Sequence, residues 1–426
     1  MNRFFGIIGI VVIFAICFLM SNNKKKISLK TVLSGFALQI LLALFVLKTK
    51  VGQVIFAKAG QFVEKLLDFA NQGGDFVFGI LTNNPEKMTE LFGAGSDFIF
   101  ALKLIPTIIF VLILVNILYH VGIMQKIVYV CAKVMYKIMN ISGAEALSNA
   151  ASAFVGQVEA QIMIKPYLAS MTMSELLASM AGSMACIAGG VMAMYIGMGI
   201  PAEYLLSASI MAAPGALVVS KIVFPETEQS QTKDDVKIEV KQTYVNLIDA
   251  IAHGASDGMR VSINVIAMLI ALIALIHMVD WVLGYIGLFL VNICHLPSSL
   301  LGIDFTHLSL KEILGAIFSV FAFIMGVPFT EASTVGSLMG TKLVFNEFIA
   351  YMDLSQIQST LSPKSVIIAS FALCGFANLG SIAIQIGGIG ELAPTRRKDL
   401  AKLGFKALIC GTLASYVSAC IAGMLL

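Results

Sequence analysis

Long apolar runs constrain the fold of this chain more than any other feature of its sequence. Eight of them approach or exceed the length of about 20 residues that a helix needs to cross the hydrocarbon core of a bilayer. Only 12% of the residues are charged, about half the share found in ordinary soluble domains. The sequence therefore predicts an all-α polytopic membrane protein with about eight transmembrane helices. The runs lie near residues 4–21, 31–48, 98–120, 175–200, 203–222, 259–290, 364–387 and 403–425.

Basic residues beside these runs predict the orientation of the chain in the membrane. The first run is followed by Lys24, Lys25, Lys26 and Lys30 and has no small-residue cleavage site, so we interpret it as a retained span rather than a signal peptide. Because lysine and arginine in short loops favour the cytoplasm, the N-terminus is predicted to lie outside the cytoplasm. Alternation of the spans then places the C-terminus outside as well. The amphipathic stretch 124–138 is predicted to lie along the cytoplasmic interface.

Charge and metal-ligand patterns exclude several kinds of partner. A net charge of +3 gives no sign of nucleic-acid binding. The mixed-charge segment 225–243 is predicted to be a solvated cytoplasmic linker between two membrane halves. The seven cysteines and five histidines lack metal-ligand spacings, so neither a metal site nor another cofactor is expected.

Two polar islands interrupt the apolar sequence, at residues 156–161 and 326–332. The first contains Gln157 and Glu159, and the second contains Glu331 just after a Gly-Val-Pro sequence. A charged side chain near the bilayer centre costs about 2.5 to 3.5 kcal/mol even on lenient scales, so such residues mark substrate or ion sites by default. The alternative is that each glutamate only bonds neighbouring helices together. Two islands in matching positions make that alternative weaker.

The islands also indicate an internal repeat. Each precedes two further apolar segments, and paired interruptions in two halves of a membrane protein are typical of a transporter site. Three predicted crossings separate the islands, so the repeats would be inverted and the islands would be the tips of two re-entrant hairpins. Their polar groups are predicted to meet near the midplane with Phe376, Asn378 and Ser381. A channel stays as a rival function, whereas the motifs of intramembrane proteases are missing from the sequence, so no enzyme is expected.

The residue types at the predicted site favour a neutral polar ligand or a cation. Carboxylates, amides and hydroxyls are present, whereas none of the four arginines is near the islands in sequence. Anionic substrates are disfavoured because they are usually bound by arginine. A nucleoside fits well, since it offers a flat heterocycle and a polyol sugar to groups that donate and accept hydrogen bonds. These residues alone leave a sugar or an amino acid open.

At four motifs the chain resembles the concentrative nucleoside transporter family. Members typically carry Gly-Gln-Thr-Glu-Ala-Pro at the first hairpin, Gly-Val-Pro-Trp/Phe-x-Glu-Ala at the second, and Cys-Gly-Phe-Ala-Asn-Leu/Phe-x-Ser in the helix that follows. The matching residues here are 156–161, 326–332 and 374–381, together with a family-like Asn-Glu-Phe at 346–348. The motifs occur in the family order, and the resemblance covers nearly the whole chain.

The resemblance implies a homotrimer in a lipid bilayer, in which each protomer has a scaffold and an elevator-like transport unit. Four regions would follow from it. They are 1–138 with scaffold helices and the interfacial helix, 139–224 with the first hairpin and its transport helices, 225–308 with the linker and a long scaffold helix, and 309–426 with the second hairpin and its transport helices. The few arginines, many lysines and lack of eukaryotic-style extensions favour a bacterial inner membrane.

By correspondence with the family, the first hairpin and the helix after it would bind the nucleobase, and the second repeat would bind the ribose. The residues implied for the base are Gln157, Val158, Glu159 and Val191. Those implied for the ribose are Glu331, Asn378 and Ser381, beside Phe376. Val158 replaces the family threonine and Gln161 the next proline, so a base contact is lost and altered base selectivity is expected.

The coupling ion is the second departure from the family. Sodium-coupled members use an asparagine, a serine and nearby carbonyls, and the corresponding residues here are Ser152, Cys186, Val155 and Ile187. Because a hard cation prefers oxygen ligands, a short hydroxyl and a soft thiol are expected to weaken sodium binding. Proton coupling through Glu159 or Glu331 is therefore favoured over sodium coupling.

Overall fold

The computed structural model describes residues 5–93, 99–232, 244–295, 297–300 and 303–425, which are almost entirely helical. Short 3-10 turns and one antiparallel pair of two-residue strands, β1 (Ser299–Leu300) and β2 (Ile303–Asp304), make up the remaining regular structure of that part. The helices are α1 (Phe5–Leu19), α2 (Leu29–Lys48), α3 (Lys50–Phe78), α4 (Ile80–Asn83), α5 (Pro85–Phe92), α6 (Phe100–His120), α7 (Ile123–Met139), α8 (Gly143–Ser152), α9 (Glu159–Ile162), α10 (Lys165–Leu168), α11 (Met173–Ala185), α12 (Gly189–Gly197), α13 (Ala202–Val223), α14 (Leu247–Asn292), α15 (Leu310–Ile324), α16 (Phe329–Val344), α17 (Glu347–Ile357), α18 (Pro363–Leu373), α19 (Leu379–Leu392) and α20 (Arg397–Leu425).

The prediction of an all-α polytopic fold is confirmed, although several spans are built differently from a single straight helix. Within the described residues, six segments are long and apolar enough to cross a membrane, and α15 and α16 form a seventh candidate that bends by 118°. The predicted run 364–387 is two short helices, α18 and α19, separated by residues 374–378. The run 175–200 is likewise interrupted at 186–188, between α11 and α12.

Two long helices extend beyond what the apolar runs predicted. Helix α3 has 29 residues, and none of the apolar runs predicted it, because its apolar residues occupy one face rather than a continuous run. Helix α14 has 46 residues, which corresponds to a length of roughly 70 Å. The predicted amphipathic helix is present as α7, with one buried face formed by Met124, Val128, Ala132, Met135 and Met139. Its position at the cytoplasmic interface, like the location of both termini, stays a prediction.

The order of elements repeats, and the two copies form the buried core. In the first copy, α8 is followed by a break, then by α9 and α10, by the interrupted pair α11 and α12, and by α13. In the second copy, α16 is followed by a break, then by α17, by the interrupted pair α18 and α19, and by α20. Helix α11 packs against α13 and α20, and α18 packs against α13 and α20. Each copy therefore contributes its interrupted pair to a shared centre.

The order of elements shows that the tip of the second hairpin lies at a different place from the one that the sequence predicted. The sequence placed it at residues 326–332, where the chain bends sharply between α15 and α16. The break that corresponds to the first hairpin is instead at Phe345 and Asn346, between α16 and α17. No glycine or proline marks that position, so the local signal there is weaker than the Gly-Val-Pro of the bend.

The two interrupted pairs contact each other directly through their backbones. Gly375 has φ +111°, a conformation that L residues rarely adopt. A Cβ atom at this position would lie 2.4 Å from the carbonyl oxygen of Ala185 at the end of α11. The next residue, Phe376, donates its backbone N–H to the carbonyl oxygen of Cys186 at 3.3 Å. Glycine is required at 375 for both its conformation and its lack of a side chain.

Replacing Gly375 with alanine is expected to destabilise the protein by at least about 2 kcal/mol, since it adds backbone strain and a steric clash. The measurement is the thermal unfolding temperature of the purified protein in detergent. Gly197→Ala is the matched control, because nothing lies within 4 Å of a Cβ atom there and its φ is not positive. Equal melting temperatures for the two variants would contradict the proposed role of the backbone contact.

Candidate functional site

The break in the first hairpin brings its polar residues to the start of α12. Residues 153–158 separate α8 from α9. The carbonyl oxygen of Phe154 accepts a hydrogen bond from the N–H of Gly189, the first residue of α12, at 3.1 Å. Val191 lies two residues later, in the first turn of the same helix, and is half-buried. The hairpin tip and the start of α12 are therefore fixed relative to each other.

Gln157 connects this tip to the second repeat. Its Nε2 donates to the Ser381 hydroxyl at 3.4 Å, and its Oε1 accepts from Gln385 Nε2 at 3.4 Å. Gln385 also donates to the carbonyl oxygen of Met180 at 3.2 Å, and its own side-chain oxygen is buried without a hydrogen-bond partner in the described part of the chain. The structure thus brings together the predicted residues Gln157 and Ser381. The sequence reasoning missed Gln385, although it lies one helical turn after Ser381 in an apolar helix.

Asn378 organises the start of α19 and contacts a carboxylate. Its Oδ1 accepts from the Ser381 backbone N–H at 2.9 Å, which caps the helix. Its Nδ2 donates to Glu347 Oε2 at 3.0 Å, and the Tyr195 hydroxyl donates to Glu347 Oε1 at 3.2 Å. Glu347 is only 6% exposed. One buried carboxylate is therefore held by a residue of each repeat.

The carboxylate that faces Asn378 was predicted to be Glu331, and the structure places Glu347 there instead. Glu331 accepts hydrogen bonds from the backbone N–H and the hydroxyl of Ser362, at 3.2 and 2.9 Å. Ser362 caps the start of α18, whereas Asn378 follows its end. The 11 residues of α18 separate these positions by roughly 16 Å. The Asn-Glu-Phe sequence at 346–348 was the available signal, and the sequence analysis did not use it to select a site residue.

The other predicted base-contacting residues lie around the same tip. Glu159 is exposed, and its carboxylate folds back over Gly156, where a Cβ atom would be 2.1 Å from Oε2. The Val158 side chain packs onto Gly388 of α19, where a Cβ atom would be 2.6 Å from Cγ2. Phe376 is half-buried in the break between α18 and α19. Val158 therefore fills a packing contact between the repeats.

The predicted coupling-ion region is satisfied by hydrogen bonds within the protein. The Ser152 hydroxyl donates to the Ser148 carbonyl oxygen at 2.8 Å and is 3.1 Å from the Ser183 hydroxyl. Cys186 Sγ donates to the Ser209 carbonyl oxygen at 3.6 Å, and the N–H of Ile187 donates to the Ser209 hydroxyl at 3.5 Å. Val155, also in this region, is 4% exposed. Ser209, which the sequence analysis did not select, therefore bonds to both Cys186 and Ile187.

Gln161 joins a buried cluster of serine hydroxyls. Its Nε2 donates to the hydroxyls of Ser183 and Ser148, at 2.6 and 3.1 Å, and its Oε1 accepts from Ser179 and Ser148. Gln161 and all three serines are at most 1% exposed. The amide that stands in place of the family proline therefore ties the second arm of the hairpin to α8 and α11.

Three family profiles match the chain. The profile described as "Na+ dependent nucleoside transporter C-terminus" matches residues 204–423, and its N-terminal counterpart matches residues 8–81. A profile described as "Nucleoside recognition" matches residues 101–202. These regions include both interrupted helix pairs and the polar residues around them.

Relatives and solved structures match over nearly the whole chain. "Uncharacterized transporter YutK" of Bacillus subtilis is 43% identical over 100% of both chains. "Nucleoside permease NupC" of Helicobacter pylori is 37% identical over 99% of this chain and 98% of its own. The structure of CNTnw in an inward-facing substrate-bound state matches with a TM-score of 0.91 at 41% identity, covering 100% of this chain and 98% of that one. A CNTnw variant in an outward-facing state also matches with a TM-score of 0.91.

Replacing Gln161 with leucine is expected to lower the melting temperature by a few degrees, because it removes several hydrogen bonds from buried serine hydroxyls at a cost of about 1 to 3 kcal/mol. Thermal unfolding of the purified protein is the measurement. Gln356→Leu is the control, since Gln356 is exposed on α17 and its replacement is expected to change stability little. If Gln161→Leu melted with the wild-type protein, the serine cluster would not stabilise the hairpin.

Proposed function

Because the chain belongs to the concentrative nucleoside transporter family, we propose that it is a secondary active symporter that imports nucleosides. The observation that carries this proposal is the continuous polar row formed by Glu347, Asn378, Ser381, Gln157 and Gln385. It crosses from one repeat to the other where the break of the first hairpin meets the start of α19. A polar solute that leaves water needs new hydrogen-bond partners, and a row of donors and acceptors at broken helices near the membrane midplane can provide them.

The two ends of the row suit different parts of a nucleoside. Glu347 accepts hydrogen bonds and Asn378 both donates and accepts, which fits the vicinal hydroxyls of a ribose. Gln157 and Glu159 of the first hairpin fit the edge of a nucleobase, and Val191 and Phe376 provide apolar surface for its faces. In this assignment Glu347 takes the ribose-binding role that the sequence analysis gave to Glu331.

The charges around the row favour a neutral substrate over an anion. Of the four arginines, the three that the structure describes lie outside it. Arg396 donates to the carbonyl oxygens of Ala169 and Met171, and Arg260 and Arg397 are exposed. Carboxylate or phosphate groups would find no bidentate partner there. Nucleosides rather than nucleotides are therefore the proposed substrates.

Proton coupling is the favoured form of symport. The Ser152 hydroxyl and the Cys186 thiol already donate to backbone carbonyls, and a thiol is a poor ligand for a hard cation such as sodium. Glu159 is the carboxyl group proposed to carry the proton, since Glu331 accepts hydrogen bonds from Ser362 and Glu347 accepts them from Asn378 and Tyr195. Sodium coupling is the second candidate, and the "Na+ dependent" description of the matching family profiles favours it.

The proposed mechanism is alternating access by an elevator-type movement in a homotrimer. The existence of related structures in inward-facing and outward-facing states supports alternating access. The two repeats, which contain the hairpins and interrupted helices, would move as the transport unit, and the remaining helices would form the scaffold. The proposed location is a bacterial inner membrane with both termini outside the cytoplasm.

Radiolabelled uridine and adenosine uptake into proteoliposomes tests the function and the coupling ion together. Uptake driven by an imposed proton gradient, and not by a sodium gradient at constant pH, is expected. Glu347→Gln is expected to reduce uptake by about tenfold or more, since it removes a charged acceptor of substrate hydroxyls. Glu331→Gln, the matched control, is expected to have a smaller effect.

Uptake of neither nucleoside under any gradient, by folded protein, would refute the proposed function. Uptake driven only by sodium would refute proton coupling and leave nucleoside transport intact. A larger loss in Glu331→Gln than in Glu347→Gln would return the ribose-binding role to Glu331.

Replacing Val158 with threonine is expected to change the ratio of uridine to adenosine uptake by about 2- to 10-fold, because one hydrogen bond to a base edge is worth about 0.5 to 1.5 kcal/mol. Competition between the two labelled nucleosides in one vesicle preparation measures this ratio. Val134→Thr on the exposed face of α7 is the control. An unchanged ratio would show that residue 158 does not contact the base.

A further inference from the structure

The ends of two helices face each other at the centre of the protein. Helix α11 ends at Ala185 and α18 ends at Leu373, and the segments after them are joined by the hydrogen bond from Phe376 N–H to the Cys186 carbonyl oxygen. The C-terminus of a helix carries a partial negative charge, because its last carbonyl groups have no partner within the helix. Two such ends in a buried region require compensating positive charge or hydrogen-bond donors.

A buried lysine supplies both a positive charge and hydrogen-bond donors at the end of α18. Lys342 is 0% exposed, and its Nζ donates to the carbonyl oxygens of Ala372 and Cys374, at 3.0 and 3.3 Å. The Ser415 hydroxyl donates to the same Cys374 oxygen at 2.6 Å. Within the described part of the chain, Lys342 forms no direct ion pair with a carboxylate. Its ammonium group is therefore directed at the helix end.

The same lysine lies close to Glu347. Lys342 donates to the Cys374 carbonyl oxygen and Glu347 accepts from Asn378 Nδ2, so the ammonium and the carboxylate are bound at the two ends of the same break, residues 374–378. The other titratable groups that face Glu347 are Tyr195 from α12, Tyr351 on its own helix and Cys374 at the end of α18. None of these three carries positive charge. An ionised carboxylate that is only 6% exposed would be costly to maintain without a nearby cation.

The repeat relates this lysine to the coupling-ion region. In the first repeat, the region between hairpin and interrupted helix contains Ser152 of α8 and Cys186 at the end of α11. In the second repeat, Cys374 likewise follows the end of its helix, α18, and Lys342 lies two residues before the end of α16. The first repeat therefore has neutral side chains in this region, whereas the second has the ammonium group of Lys342.

We propose that Lys342 is a positioning residue that acts as a fixed internal cation, holding the second hairpin on the interrupted helix α18–α19 and keeping Glu347 as a carboxylate for the substrate. This inference rests on the proposed nucleoside site, and it adds a residue that does not itself touch the substrate. Without the ammonium group, Glu347 takes up a proton beside the carbonyl-rich helix end. A protonated Glu347 has lost charge and acceptor strength toward substrate hydroxyls.

Infrared difference spectroscopy tests the charge state without any substrate. In Lys342→Met, a protonated carboxylic acid band is expected that is missing from the wild-type protein at the same pH. The band is expected to disappear in the double variant Lys342→Met with Glu347→Gln, which assigns it to Glu347. Lys342→Gln, which keeps a donor but no charge, is expected to show the same band and replaces the methionine variant if that protein does not fold.

Uridine and adenosine binding to the same proteins, by calorimetry, tests the consequence for the substrate. Lys342→Met is expected to weaken binding by about tenfold or more. It is expected to have little further effect when Glu347 is already replaced by glutamine. Lys221→Met is the matched control, since Lys221 is also buried but pairs with Glu145 at 2.7 Å. This control is expected to lower stability and to leave the affinity for both nucleosides nearly unchanged.

The outcomes separate the two proposals. If the wild-type protein binds neither nucleoside, the proposed function fails, and the infrared result alone decides whether Lys342 sets the charge state of Glu347. If the wild-type protein binds but Lys342→Met produces no carboxylic acid band, the inference about Lys342 is wrong. Equal losses of affinity from Lys342→Met in the wild-type and Glu347→Gln backgrounds would also overturn it, because the lysine would then act independently of Glu347.

Discussion

The backbone contact between the two interrupted helices is the constraint on which the rest of the structure depends. In a bilayer, N–H and C=O groups that leave a helix must find partners in the protein. Gly375 and Phe376 meet Ala185 and Cys186 at this contact, so each interruption helps to satisfy the other. The arrangement requires two interrupted helices at the same depth, which explains why the chain carries the element twice. The polar side chains then occupy positions that this crossing defines.

The side chains around the crossing divide into those that complete the backbone and those that remain for a solute. Lys342, Ser209 and Ser415 donate to carbonyl groups near the interruptions. Gln157 and Glu347 instead bond other side chains across the repeats. Side-chain partners are easier to exchange for a ligand than backbone partners, because the helices keep their own hydrogen bonds when the exchange occurs. This division is the physical basis for distinguishing structural polar residues from the proposed substrate-binding ones.

Much of this architecture could be predicted from local sequence, and the failures have identifiable causes. Continuous apolar runs predicted α2, α6 and α13, and the Gly156 island predicted the first hairpin. The second hairpin was misplaced because Gly326 and Pro328 give a strong local signal at a bend outside it. The break at Phe345 has neither glycine nor proline, and its local signal is only Asn346, which caps α17 by accepting from the Ile349 N–H. Gln385 and Lys342 escaped prediction because their partners are far away in the sequence.

Because α14 is so long, the thickness of the surrounding bilayer affects how this helix sits in the membrane. From Val261 to Asn292 the helix contains no lysine, arginine or glutamate, and Asp280 is its single acidic residue there. Such a stretch is roughly 48 Å long, against a hydrocarbon core of about 30 Å. Only 18% of its most apolar window is buried within the chain. The helix must therefore tilt or locally thicken the bilayer. Because acyl-chain length sets the thickness of the bilayer, lipids of different chain length are expected to change the tilt of α14.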